Sequence, residues 1–410
     1  MNKKKVLLLS THDSHLGGHA WAELQKYDLS KYDVKLVSLF SYYNDSTYSI
    51  IKWYFIYRIY KKLILPLIYL FKFGAFQIEI TSEKYAFMYF DFSPISAKRI
   101  LKKYNNGNPD IIVLHWHDGY ITSKVLKDLY ELTHAKIVYY FTDEFPLGGG
   151  CHYPCECQGY KSNCENCPAL KTNKIQAVKM LHKKVDFLSA IPKVVVAPTS
   201  GINQAKESVF FRENTTFIKL KNGVNIENKY SREGARDYFG IPNDKFVIMF
   251  GALEFSNERK GFKYLINSLR KFTENIDDDI YAIVPGNVKE FIDIESIKFI
   301  YPGKLDMDNL CKAYVAADVY ISPSIADAGP MMVLYSVACG TPVISFPIGY
   351  ALDLIKHKET GYIAEYMNTE DMANGILFFY QNRYMRELFY TNCINLMSSL
   401  NKNAFVGNLF

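Results

Sequence analysis

The sequence predicts an α/β chain of two doubly wound domains, and three observations predict it. Short apolar runs of strand length alternate with amphipathic stretches of helical period along most of the 410 residues, the pattern of parallel sheets covered by helices. That series occurs twice, so two such domains follow one another. Between the two series lies Leu220-Lys221-Asn222-Gly223-Val224-Asn225, where Asn-Gly is a turn signal.

The elements follow in order. Strands are expected at Lys5–Ser10, Asp33–Phe40, Ile111–His115, Lys136–Phe141 and Val194–Ala197. The second series begins at Phe246–Phe250 and continues with Ile280–Val284, Ile297–Tyr301, Val319–Ser322 and Pro342–Phe346. Helices are expected between them, for example over Gly261–Phe272, Met307–Ala317 and Met331–Ala338, and over a last stretch from about Met385 to Leu400. Met1-Asn2-Lys3-Lys4-Lys5 before Val6-Leu7-Leu8-Leu9 has the look of a signal peptide. Its apolar part is too short, and a first buried strand is the better reading. The expectation is a cytoplasmic chain with reduced thiols. No run of about 18 apolar residues lacks charge, so no transmembrane helix is expected.

Composition narrows the classes. Hydrophobic residues make up 49% and charged residues 22%, which excludes a disordered chain. A net charge of +6 is too small to argue for nucleic acid and fits anionic substrates or an anionic membrane surface. Neither series shows G-x-G-x-x-G after its first strand, which argues against a dinucleotide-linked dehydrogenase.

The most informative stretch is Ser322-Pro323-Ser324-Ile325-Ala326-Asp327-Ala328-Gly329-Pro330, running on to Ala338-Cys339-Gly340-Thr341-Pro342-Val343-Ile344. A strand, a tight turn and a helix N-terminus make an anion site, because the first amides of a helix have no internal partners. A carboxylate fixed there can hold sugar hydroxyls while the amides hold phosphate. The stretch resembles the donor signature of glycosyltransferase family 4, the group 1 transferases, which reads S-P-S-x-x-E, seven residues, E, then A-C-G-T-P-V-I. Asp327 stands for the first acid, and Tyr335 stands eight positions later where the second Glu would be.

The resemblance implies the GT-B fold, two Rossmann-like domains facing a cleft. It divides the chain into an acceptor-side domain over 1–219, a donor domain over 220–384, and a C-terminal helix over 385–410 that returns to the first domain. It places Lys260, within Glu258-Arg259-Lys260-Gly261, on the donor diphosphate, a role suited to a compact ammonium. Arg259 and Gly261 flank it, and Gly329, Pro330 and Met331 form the phosphate-facing turn. Gly17-Gly18-His19 after the first strand corresponds to the family's Gly-Gly loop, which faces the donor phosphate and the acceptor. Tyr335 departs from a Glu that grips both ribose hydroxyls, since a phenol offers one group only. Tyr140-Phe141-Thr142-Asp143 replaces the usual T-L-H-D, so Thr142 takes a histidine's place while Asp143 is kept. His115 and His117 lie at the neighbouring strand end, on the expected acceptor side.

Five of the eight cysteines fall within Cys151 to Cys167, inside Gly148-Gly149-Gly150-Cys151-His152-Tyr153-Pro154-Cys155-Glu156-Cys157 and Cys164-Glu165-Asn166-Cys167-Pro168. Capsule and exopolysaccharide transferases of the family share such a stretch. Cys151, Cys157, Cys164 and Cys167 form a candidate four-thiolate set for structural zinc, with Cys155 spare and free thiols as the alternative. No catalytic metal is expected. Residues 50–76 mix Lys and Arg with Trp, Tyr and Leu around Pro66, a composition that suits a membrane interface; a core helix pair is the alternative.

The reading is a retaining glycosyltransferase. It moves a sugar from a UDP- or GDP-sugar to a lipid-linked glycan in bacterial surface polysaccharide synthesis, at the inner face of the cell membrane. Asp327, Gly18 and Asp143 are the residues expected at the chemistry. The alternative, suggested by Thr142 and Tyr335, is a catalytically silent chain of the same fold, serving as a binding subunit of a polysaccharide assembly complex.

Overall fold

The computed structural model describes residues 3–12, 29–40, 49–51, 81–88, 93, 95–221, 223–224, 226, 229–274, 276–288 and 291–403. They fall into two compact units. The first comprises described residues up to 197 together with 201–220, and the second 198–200 with those from 221 onward.

The first unit holds one seven-stranded sheet. Its strands are β1 (Lys4–His12), β2 (Tyr32–Phe40), β3 (Ser49–Ile51), β4 (Ile111–Leu114), β5 (Lys136–Tyr140), β6 (Lys193–Ala197) and β7 (Thr215–Lys219), in the order β3-β2-β1-β4-β5-β6-β7. Every pair is parallel. Leu7, Leu8, Leu9, Ile112, Val113, Ile137 and Val138 are fully buried, as strands covered on both faces require. Strand order reverses between β1 and β4, which makes that junction the topological switch point. Here Thr11 donates its amide to the Trp116 carbonyl at 2.6 Å and its hydroxyl to the Asp118 carbonyl at 2.7 Å, locking the two strand ends together.

The second unit contains β8 (Phe246–Met249), β9 (Ala252–Glu254), β10 (Ile280–Ile283), β11 (Gly286–Asn287), β12 (Ile297–Ile300), β13 (Val319–Ser322), β14 (Val343–Ser345) and β15 (Gly361–Ile363). Six of them form a parallel sheet in the order β12-β10-β8-β13-β14-β15, while β9 and β11 pair separately. The switch point lies between β8 and β13. Helices begin where the sequence supplies caps. Ser231 accepts from the Gly234 amide ahead of Arg232–Phe239, and Asp306 from the Asn309 amide ahead of Met307–Ala316. The helix Arg386–Asn403 lies against Met331–Ala338 within this unit.

Asp318, at the foot of β13, is the charged centre of the second unit. It accepts from Arg232 at 2.6 Å, Arg236 at 3.0 Å and the Val247 amide at 2.8 Å, with Arg386 Nε at 3.5 Å. Arg236 has no exposed surface and donates further to the carbonyls of Ala316, Pro242, Asn243 and Lys245.

Each expected strand is present within two residues of its anticipated ends. β3, β7, β9, β11 and β15 are additions. β7 is an edge strand with no residue fully buried, so it lacks the continuous apolar run. The others span three residues or fewer, too short to show a period. Among the described residues no helix is long and apolar enough to cross a membrane. The aromatic and basic segment 50–76 lies outside the described residues beyond Ile51, as do Gly17, Gly18 and His19.

Candidate functional site

Two loops leave the carboxyl ends of β8 and β13, on either side of the second unit's switch point, and they meet. After β8 the chain makes a single 3-10 turn over Glu258–Lys260, capped by the Asn257 side chain, which accepts from the Arg259 amide at 3.2 Å. After β13 it passes through Pro323 to Pro330 before the helix Met331–Ala338. The Arg259 carbonyl accepts from the Ile325 amide at 2.8 Å, joining the loops by backbone. Tyr366 donates its hydroxyl to the Ile325 carbonyl at 2.9 Å and props the second loop from below.

The side chains complete the join. Lys260 Nζ lies 2.6 Å from Asp327 Oδ2, and Arg259 Nη1 lies 3.3 Å from the same oxygen. The other oxygen, Oδ1, accepts from the Gly329 amide at 3.2 Å. Burial would raise the Asp327 carboxyl, but Lys260, Arg259 and that amide hold it below the usual range. Asp327 therefore stands as a carboxylate, with two cations and the Gly329 amide around it. An anion arriving at Lys260 and Arg259 would find two charge-assisted donors of different geometry.

Gly261 makes this closeness possible. Its φ is +67°, and a Cβ there would lie 1.8 Å from the Pro323 carbonyl oxygen. Gly261→Ala should lower the stability of the second unit by about 1–3 kcal/mol, read as a lowered Tm. A variant with unchanged Tm would show that the two loops are not held together as described.

Pro330 takes the cap position of the following helix without a side-chain bond, and Met331 is its first residue. Tyr314 holds that helix by donating to the Met332 carbonyl at 2.9 Å, and Ser336 by donating to the Thr341 carbonyl at 2.8 Å. Tyr335 is half-buried, and burial pushes its phenol up. It lies one helical turn beyond Met331, on the helix that follows the Asp327 loop.

The other candidate residues gather at the strand ends of the first unit. His115 is buried and its ring lies 4.8 Å from that of Tyr140. His117 is bonded through Nδ1 to the His115 carbonyl at 2.7 Å, and burial lowers its pKa, so its ring is neutral. Thr142 is half-exposed and Asp143 is buried. Asp143 Oδ1 accepts from the Phe145 amide at 3.1 Å, and Oδ2 is engaged by His152 Nδ1. The opposite nitrogen of His152 faces Asp118 Oδ2 at 3.5 Å. Burial would lower the His152 pKa, but Asp143 and Asp118 raise it to about 9. Burial would raise Asp118, and His152 holds it down instead. Sequence reasoning passed over Asp118 and His152. The only trace was a His among three glycines and a cysteine, nine residues after Asp143.

The zinc expectation finds no support. Cys151, Cys157, Cys164 and Cys167 do line one small cavity with Gly149, Tyr160 and Ala177. All are free thiols, and among the described residues no group of three or more His, Cys, Asp or Glu is placed to hold a metal ion. Burial pushes Cys151 and Cys167 up and Cys164 to about 11, aided in each case by the neighbouring thiols, and Cys164 and Cys167 pack into the hydrophobic core.

Residues 231–395, which include Lys260, Asp327 and Tyr335, match the family described as glycosyl transferases group 1. An uncharacterised glycosyltransferase of Methanocaldococcus jannaschii is 25% identical over 242 residues, 55% of this chain and 60% of that protein. The chain thus spans less than two thirds of that relative's length. Among solved structures, a glycosyltransferase from Rickettsia africae matches over 100% of this chain and 96% of its own, with a TM-score of 0.59 and 17% identity. HepE of Anabaena, solved with UDP and glucose, matches over 98% of each chain, with a TM-score of 0.56 and 14% identity. At such identities the likeness is one of fold.

Proposed function

We propose that this chain, which carries a group 1 glycosyl transferase segment on a GT-B fold, transfers a sugar from a nucleotide-sugar donor. One observation carries the reading: Lys260, Arg259 and Asp327 converge at the switch point of the second unit. That is where doubly wound sheets take their ligands. UDP, the nucleotide in the Anabaena structure, is the first donor base to test.

In this reading the donor diphosphate takes Lys260 and Arg259, and the turn at Gly329, Pro330 and Met331 closes on it. Asp327, released from Lys260, turns to the sugar hydroxyls and to the positive charge that develops at the anomeric carbon. Lys260 and the helix amides receive the charge of the departing diphosphate, so catalysis is positioning and electrostatic stabilisation. The Gly17, Gly18 and His19 loop is assigned to the donor phosphate and the acceptor, and His115, His117 and Thr142 to the acceptor side. Asp143 acts there through His152. The acceptor is a lipid-linked glycan at the cytoplasmic membrane surface, the anomeric configuration is retained, and the product is a bacterial surface polysaccharide.

Calorimetry on the purified chain with UDP, GDP and their common sugar conjugates tests the reading. One nucleotide should bind, and Lys260→Ala should bind it more weakly. A folded protein that binds none of them would sink the donor assignment.

The second reading, a binding subunit without turnover, is favoured by Tyr335, whose half-buried phenol stands where the family places a ribose-binding Glu. Tyr335→Glu separates the two. Tighter donor binding with more turnover marks a tuned enzyme, and no change in either marks the binding subunit.

A further inference from the structure

Asp118 closes the strand-end run after β4, beside β1, where the order of the first sheet reverses. Ligands of doubly wound sheets lie outside the carboxyl ends of the strands at such a point. The residue is 7% exposed. Its Oδ2 faces His152, but its Oδ1 is buried with no hydrogen-bond partner among the described residues. A buried carboxylate oxygen without a donor is costly, and each case in a folded protein calls for an explanation.

The carboxylate is held in place. His152 is fixed at Nδ1 by Asp143, which the Phe145 amide fixes in turn. The imidazole is sandwiched between Trp116, with centroids 4.4 Å apart and planes 15° apart, and Phe145 at 4.9 Å and 25°. Thr11 ties down the Asp118 carbonyl. Besides His152, His117 and His12 also lower the Asp118 carboxyl, and His117 is bonded through Nδ1 to the His115 carbonyl. Trp116, two residues before Asp118, is only half-buried. An indole and a carboxylate at one strand end suit a sugar ring, with its apolar face on the aromatic and a hydroxyl on the oxygen.

We infer that Asp118 binds a sugar hydroxyl on the acceptor side, and that His152, set by Asp143, is the positioning residue that orients it. The inference rests on the glycosyltransferase reading for the identity of the ligand as a sugar.

The test is calorimetry and thermal shift on the full chain with the methyl glycosides of glucose, galactose, mannose and N-acetylglucosamine. At least one should bind and stabilise the wild type. Asp118→Asn keeps the shape and should weaken that glycoside about tenfold to a hundredfold, with UDP affinity unchanged. His152→Gln, which retains amide donors, should keep more affinity than His152→Phe, which retains only the stack. Should His152→Phe fail to fold, the Asp118 variant still decides. Wild type that binds none of the four, or Asp118→Asn that binds as tightly, overturns the assignment. Loss of UDP binding alone would strike the donor reading and leave this one standing.

Discussion

Lys260→Ala should weaken UDP binding about tenfold to a hundredfold and cut turnover further, by about 10²–10³. The first figure is the worth of a hydrogen bond between charged groups, about 1.5–3 kcal/mol. The second adds the loss of a preorganised cation where charge builds up on the leaving diphosphate. The structure adds a discriminating detail. Lys260 is already paired with Asp327 at 2.6 Å, so a phosphate competes with that carboxylate for the ammonium. Asp327→Asn should therefore keep or raise affinity for UDP while abolishing turnover of the UDP-sugar. A purely structural ion pair would behave differently, because both substitutions would then lower Tm and leave UDP affinity unmoved. Calorimetry beside a melting curve tells the two apart.

Asp318→Ala should be the most damaging single change to the second unit's stability, at about 3–5 kcal/mol. Removing one partner of a buried ion pair costs this much because the remaining charge stays desolvated and unpaired. Here the loss is shared by Arg232, Arg236 and Arg386, and the Val247 amide loses its acceptor too. Arg236 cannot escape to water, being fully buried under four carbonyls. For a unit of this size, each kcal/mol moves Tm by about 2–4 °C, so a fall of about 6–20 °C is expected. Asp318→Asn keeps an acceptor and should lose less. A fall under 2 °C for Asp318→Ala would mean that the arginines find other acceptors.

Both effects differ in how far they could be foreseen. Lys260 and Asp327 were each picked out from their position after an apolar strand, yet their contact was not, since 67 residues separate them. Asp318 was not singled out at all. An acid before a strand is an ordinary sight, and only the folded chain brings Arg232, Arg236 and Arg386 to it from both sides in sequence. The same holds for Asp118 and His152, where the cysteines around His152 drew the chemical reading to metal. In the folded chain those thiols are buried or only partly buried, while His152 is buried between two carboxylates and its imidazole carries the charge.

The sequence by itself determined the two doubly wound units, because strands buried on both faces must be continuously apolar and helices over them must be amphipathic. It determined as well which loops carry polar residues at strand ends. The tertiary structure alone decided what those residues do. Strand order β12-β10-β8-β13-β14-β15 places the loops after β8 and β13 side by side, so Lys260 meets Asp327. The order β3-β2-β1-β4-β5-β6-β7 sets β4 beside β5 and lets His152 reach both Asp118 and Asp143. Periodicity is local and each residue writes its own share of it. A charge pair exists only once two distant segments are neighbours, and the burial that gives it strength belongs to the whole sheet.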